Sequence, residues 1–174
     1  HSDLLMGSVT GNARCSDLLY KAAGLFGQVV TPDDAYTALR GLRTAHARLA
    51  MQSVNVMAVI KWLQKQPEVE RILYPALETD PNYAIWKRDF KGANSLFSLA
   101  FRPTVTPADA NTFVDALKMF GIGASWGGYE CLALTYPPDR LKGWSGGSLI
   151  RMHVGLEDPA DIIADLQLGF NAIR

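Results

Sequence analysis

At 174 residues, with 48% hydrophobic and 20% charged side chains, the chain can bury a core of its own and is not a disordered segment. Seventeen basic residues balance seventeen acidic ones, and no long block of either sign forms, so nucleic acid and an anionic membrane surface are excluded as partners. Apolar runs such as Val54 to Ile60 fall short of the roughly 20 residues that cross a bilayer, and the two cysteines, Cys15 and Cys131, lie far apart without metal-type spacing, which suits a soluble protein of the reducing cytoplasm.

The chain opens at His1 with no initiator methionine, on a strand-like segment, Leu4-Leu5-Met6. A Gly11-Asn12 turn, a helix from about Ala13 to Phe26 and a Val29-Val30 step follow. Residues 1–40 are expected to be the edge of a larger domain, which would leave Leu18, Leu19 and Phe26 uncovered. Thr31-Pro32-Asp33-Asp34 opens a helix: the threonine accepts from an orphan amide, proline takes the first helical position and an acid follows three residues after the cap. Leu42, Ala45, Leu49, Val56, Ile60 and Leu63 fall at helical spacing before Pro67, which predicts a long connecting helix over 41–66.

Residues 67–174 read as a C-terminal small domain. Strands are predicted over Val69 to Leu73, Leu96 to Phe101, Leu132 to Tyr136 and Leu149 to Val154, and the stretch from Tyr74 to Asn82 as a surface loop. Thr106-Pro107-Ala108-Asp109 repeats the helix-start signal; Ala110, Phe113, Val114 and Leu117 form its apolar stripe, and Gly121 and Gly123 its stop. A last helix starts at Asp158-Pro159, with Ile162, Leu166, Phe170 and Ile173 facing the core and Asp161 and Asp165 facing water. In the last strand Ile150, Met152 and Val154 point one way and Leu149, Arg151 and His153 the other. The order predicts an α+β fold, a mainly antiparallel sheet with helices on one face.

Few groups carry chemistry. His1, His46 and His153 share no ligand spacing with each other or with the cysteines, so no metal site is predicted. No G-x-S-x-G elbow occurs, and Gly143 to Gly147 read as a turn before a strand. Asp33-Asp34 and Glu157-Asp158 sit at helix starts, where negative charge is favoured, and are assigned to capping. Two features are left. In Ser125-Trp126-Gly127-Gly128-Tyr129-Glu130, consecutive glycines let backbone approach a ligand beside an aromatic wall, or else form a tight turn with Trp126 and Tyr129 packed inward. Arg151 lies on the polar face of a strand that should be central, where burial demands an anionic partner. That partner is either one of the chain's own carboxylates or the carboxylate of a substrate held by two parallel hydrogen bonds.

Taken together, His1-Ser2-Asp3, Arg40-Gly41-Leu42-Arg43-Thr44, the 125–130 loop and Leu149-Ile150-Arg151-Met152-His153-Val154-Gly155-Leu156-Glu157-Asp158 resemble the cystathionine lyase and synthase family of pyridoxal-phosphate enzymes over the whole chain. The resemblance implies a C-terminal part of a carbon-sulfur lyase, with residues 1–40 a remnant of its cofactor domain. In that family the lysine that carries the cofactor as a Schiff base stands a few residues before His-Ser-Asp, and none of the seven lysines here lies near His1. The chain alone is therefore expected to bind no cofactor and to be inactive, with pyridoxal 5'-phosphate belonging to the parent enzyme, whose other cofactor contacts lie mostly upstream. The resemblance assigns Arg151 to the substrate carboxylate, Ser125 to a position near the cofactor lysine, and Trp126, with Tyr129, to the bacterial β-lyase branch rather than the leucine-bearing γ-enzymes. Cys131 departs from the serine usual after the glutamate. The substrate implied is an amino acid, L-cystathionine or a similar thioether, and the assembly a homo-oligomer, tetrameric in the family. The alternatives are a related γ-lyase or γ-synthase, or a non-catalytic interaction module using the face of residues 1–40.

Overall fold

The first unit of the chain, His1–His46, is built on two helices, α1 (Ser16–Leu25) and α2 (Pro32–Arg43). The Thr-Pro signal works as its residues require: the Thr31 hydroxyl accepts the Asp34 amide at 3.2 Å, Asp33 and Asp34 occupy the first turn, and Arg40 and Arg43 the last, each complementing the helix dipole. Neither helix contains a buried residue. Leu18 and Phe26 are exposed as expected, whereas Leu19 is part-buried; Leu25, which was not singled out, is exposed as well. Leu4–Met6 and Val29–Val30 are not strands. An extended segment needs a neighbouring backbone to satisfy its amides and carbonyls, and β-branched or leucine content alone supplies none.

The structure, a computed structural model, describes residues 1–174 except the side chain of Arg140. The second unit is Ala47–Arg174. The connecting helix, α3, spans Ala45–Leu63 rather than 41–66, because the chain breaks at Thr44, whose hydroxyl turns back onto the Gly41 carbonyl at 3.3 Å. Then follow β1 (Val69–Leu73), α4 (Tyr83–Asp89), β2 (Leu96–Phe101), α5 (Pro107–Asp115), β3 (Gly121–Ile122), β4 (Leu132–Tyr136), β5 (Leu149–His153) and α6 (Pro159–Ile173). The sheet order is β1-β2-β5-β4-β3. All pairs are antiparallel except β3 with β4, and β5 is its central strand.

The alternation predicted for β5 decides the layering. Ile150 and Met152 are fully buried, with Leu99 of β2 and Ala133 of β4, against Val56, Val59, Ile60 and Leu63 of α3 and Phe113, Ile162, Leu166 and Phe170 of α5 and α6. Phe113 and Phe170 meet edge-on with centroids 4.8 Å apart, the favoured aromatic geometry. This is the expected α+β arrangement. At α5 the full capping box forms, Thr106 and Asp109 each bonding the other's amide.

Three expectations need correcting. Asp165 faces inward: it is 6% exposed, and its carboxylate accepts the amides of Lys118, Met119 and Phe120 at 2.8, 2.9 and 3.4 Å, closing the turn after α5. Helix α5 stops at Asp115, so Gly121 does not end it; instead Gly121–Ile122 pairs in parallel with Leu132–Ala133. Helix α4 had no counterpart among the predicted elements; it is one short piece with Tyr83 and Trp86 stacked at 5.7 Å. No helix among the described residues is long and apolar enough to cross a membrane.

Candidate active site

The face of β5 opposite the core carries Leu149, Arg151 and His153. Arg151 is flanked in register by Ser98 of β2 and Leu134 of β4, and His153 by Leu96 and Leu132. Arg151 is part-buried, and its guanidinium donates to the carbonyl of Ala124, the residue directly before Ser125 and Trp126. Of five N–H donors in a guanidinium, that bond uses one. Among the described residues no carboxylate stands within ion-pair distance of it. The structural salt bridge left open by the sequence is therefore not formed among the described residues.

The loop that Arg151 touches is tied down along its length. Gly127, in the left-handed region at φ +82°, donates its N–H to His153 Nε2 at 2.8 Å; a Cβ there would be strained. Since Nε2 accepts, the ring proton sits on Nδ1, which faces the Glu130 carbonyl at 3.0 Å and donates to it. Burial holds the His153 imidazole below the ordinary histidine range, opposed by the Glu130 carbonyl and by the charges of Glu157 and Glu130, so the neutral ring is the form that this geometry describes. From α3, the buried Gln52 side chain donates to the Gly128 carbonyl at 2.6 Å, and Leu156 N–H donates to the Tyr129 carbonyl at 2.8 Å. Trp126 and Tyr129 themselves stay 57% and 50% exposed. The loop is thus rigid in backbone while presenting two aromatic faces, not a turn with its rings in the core.

Behind the loop a second set of bonds fixes its far end. Glu157 does not cap α6; Asp158 does, accepting the Ala160 amide at 2.8 Å, while Glu157 accepts the Cys131 N–H at 2.8 Å and the Cys131 thiol at 3.2 Å. Burial, above all, pushes that thiol far above the usual range, so it stays protonated and donates; Cys131 thereby takes a hydroxyl-like place. Its sulfur accepts from Gly155 N–H at 3.2 Å, and Asn55 of α3 donates to the Gly155 and Glu157 carbonyls at 3.3 and 3.0 Å. At Gly155 a Cβ would fall on the Tyr129 carbonyl oxygen and the Glu157 carboxylate. Gly155→Ala is expected to destabilise the second unit by about 1–3 kcal/mol, the usual cost of overpacking, with a lowered urea midpoint at unchanged m-value as the measurement.

Of the predicted site residues, Arg151, Ser125 and Trp126 come together at one place: Ser125 and Trp126 are exposed and follow the carbonyl that Arg151 grips. Sequence reasoning passed over His153, Gln52 and Asn55. The signal for His153 was present in the β5 alternation; for Gln52 and Asn55 it was two amides spaced three apart on the buried side of α3. In the first unit, His1, Asp3, Arg40 and Gly41 line one cavity of about 230 Å³ with Tyr36 and Thr37, so the first two sequence motifs also meet each other.

A mainly antiparallel sheet thus presents, side by side, a guanidinium with no carboxylate partner among the described residues and an indole on a glycine-tethered loop. The chain belongs to the Cys/Met metabolism PLP-dependent enzyme family, whose profile matches residues 1–171. It is 44% identical over 172 residues to the cystathionine beta-lyase of Bordetella avium, covering 95% of this chain and 43% of that protein. It is 39% identical over 180 residues to the cystathionine beta-lyase MetC of Escherichia coli K12, covering 99% of this chain and 46% of that protein. Among solved structures, the cystathionine gamma synthase of Xanthomonas oryzae pv. oryzae, in complex with aminoacrylate and cysteine, superposes with a TM-score of 0.82 at 30% identity over 95% of this chain and 44% of that one. The chain therefore spans less than half the length of the curated relatives it matches.

Proposed function

We propose that the intact protein is a pyridoxal-phosphate-dependent β-lyase of the cytoplasm that converts L-cystathionine, or a similar cysteine thioether, and water to homocysteine, pyruvate and ammonia. The observation that carries this is the Arg151 fork, free of any carboxylate partner among the described residues and bonded to the loop that bears Trp126. Arg151 holds the substrate carboxylate with two parallel hydrogen bonds and so fixes the orientation of the α-carbon. Trp126 and Tyr129 form an apolar wall that keeps water from the thioether arm, and Ser125 offers a hydroxyl at the start of that wall. Pyridoxal phosphate, when bound, supplies the electron sink for charge developing at the α-carbon. The groups around Arg151 suit the substrate end of such a site. They include no lysine, and these 174 residues alone are expected neither to bind the cofactor nor to turn substrate over.

The choice of β- over γ-elimination is supported by Trp126 with Tyr129 and by the names of the relatives at 39–44% identity. Apolar side chains left exposed on the first unit, Leu18, Leu25 and Phe26, support a subunit of a homo-oligomer. The test is a product assay. Full-length protein with pyridoxal phosphate and L-cystathionine should release free thiol and pyruvate together, and the 174-residue chain neither. Cysteine and 2-oxobutyrate from the full-length protein would make it a γ-lyase instead, and turnover by the chain alone would overturn its assigned inactivity.

A further inference from the structure

Two side chains on one face of β5, two residues apart, hold the same loop at three points. Arg151 takes the Ala124 carbonyl, and His153 takes the Gly127 N–H and the Glu130 carbonyl. Trp126 lies between the first two of these grips, on a backbone that has little freedom left. His153 is 2% exposed, and its imidazole spends both nitrogens on the backbone of one surface loop rather than on a side-chain partner. We propose that His153 is a positioning residue for the substrate-facing loop: through Gly127 and Glu130 it fixes where the Trp126 indole stands relative to Arg151, and it does so only with its ring unprotonated. The proposal rests on the reading in which Arg151 and Trp126 face the substrate.

The physical reason is the direction of the bonds. Nε2 must offer a lone pair to the Gly127 N–H; a proton on Nε2 sets two donors against each other across 2.8 Å, and the loop must let go at that point. The charged groups that face the ring are Glu130 on the loop, Glu157 beyond β5 and Arg151 on its own strand. β2 and β4 place Leu96 and Leu132 opposite it, and the α3 side chain that reaches the loop, Gln52, does not titrate. The charges of Glu130 and Glu157 favour a protonated ring, but a proton on Nε2 still points at the Gly127 N–H and cannot bond to it. Acidification therefore frees the Trp126 segment while the sheet beneath it stays folded. The linkage has one sign: with its folded-state pKa below the unfolded value of 6.5, His153 contributes stability that is present above about pH 6.5 and is lost as pH falls through the folded-state value.

The experiment is an amide-exchange and resonance titration of the isotope-labelled chain between about pH 8 and pH 5, following Gly127, the Trp126 indole N–H and, as a control for the sheet, Ile150. In the unaltered chain the protection of Gly127 should fall about tenfold, the loss that one hydrogen bond allows, and the Trp126 resonance should move with it, at a midpoint below 6.5, while Ile150 holds. His153→Gln keeps an acceptor near Nε2 and cannot titrate, so Gly127 should stay protected at every pH. His153→Asn, which reaches only the Nδ1 side, should leave Gly127 unprotected throughout. A Gly127 amide indifferent to pH in the unaltered chain, or a Trp126 resonance unchanged in His153→Asn with Ile150 intact, overturns the proposal. The readout is the loop itself, so it succeeds or fails independently of whether the full-length protein cleaves thioethers.

Discussion

Arg151→Lys in the full-length protein should lower kcat/KM for L-cystathionine by roughly 30- to 900-fold, corresponding to about 2–4 kcal/mol of lost transition-state binding. An ammonium keeps the charge but not the fork, and its three donors cannot meet a carboxylate along two parallel lines. It also loses the geometry that ties the side chain to the Ala124 carbonyl, so the loop and the substrate are affected together. The split between parameters is informative. If Arg151 only binds, KM rises and kcat holds; if it also aligns the α-carbon, kcat falls as well. A variant with unaltered kinetics removes Arg151 from the substrate.

Asp165→Ala should destabilise the second unit by about 3–4 kcal/mol: the buried Phe120 amide and the part-buried Met119 amide lose a charged acceptor, at about 1.5–2 kcal/mol each, while water can replace it at the exposed Lys118. For a protein of this size the expected fall in Tm is about 6–16 °C. Asp165→Asn is the control. One amide oxygen can still accept from Lys118 or Met119, so the loss should be smaller, and calorimetry on the pair separates hydrogen bonding from packing. Equal stability of the alanine variant and the unaltered chain would mean that water replaces the carboxylate at the turn after α5.

These two residues also mark how far the sequence could be read. Arg151 was legible because strand periodicity is strict: alternation in Leu149–Val154 put Ile150 and Met152 on one side, and a lone guanidinium on the other had to be explained. Both Thr-Pro helix starts and β1, β2, β4 and β5 were legible for the same kind of reason, since each is a local pattern of caps or alternation. Asp165 was not. An acid on an amphipathic helix reads as solvent-facing, although its place three residues after Ile162 and next to Leu166 put it at the border of the core stripe; its partners, the amides of Lys118 to Phe120, are far away in sequence and leave no mark on it. The parallel pairing of Gly121–Ile122 is likewise too short to have a period. The same applies to the supports of the loop: Gln52 and Asn55 look like two ordinary helix amides until Gly128 and Gly155 are seen beside them. In the first unit, leucine and valine content suggested strands that need a ladder this segment lacks.

The two-sidedness of β5 has an evolutionary corollary. A single-residue insertion or deletion in this strand would exchange its faces, sending Arg151 and His153 inward and Ile150 and Met152 outward, so hydrophobic packing and the hold on residues 124–130 would be lost in one event. The strand's register is thus the frame on which both the core and the loop depend.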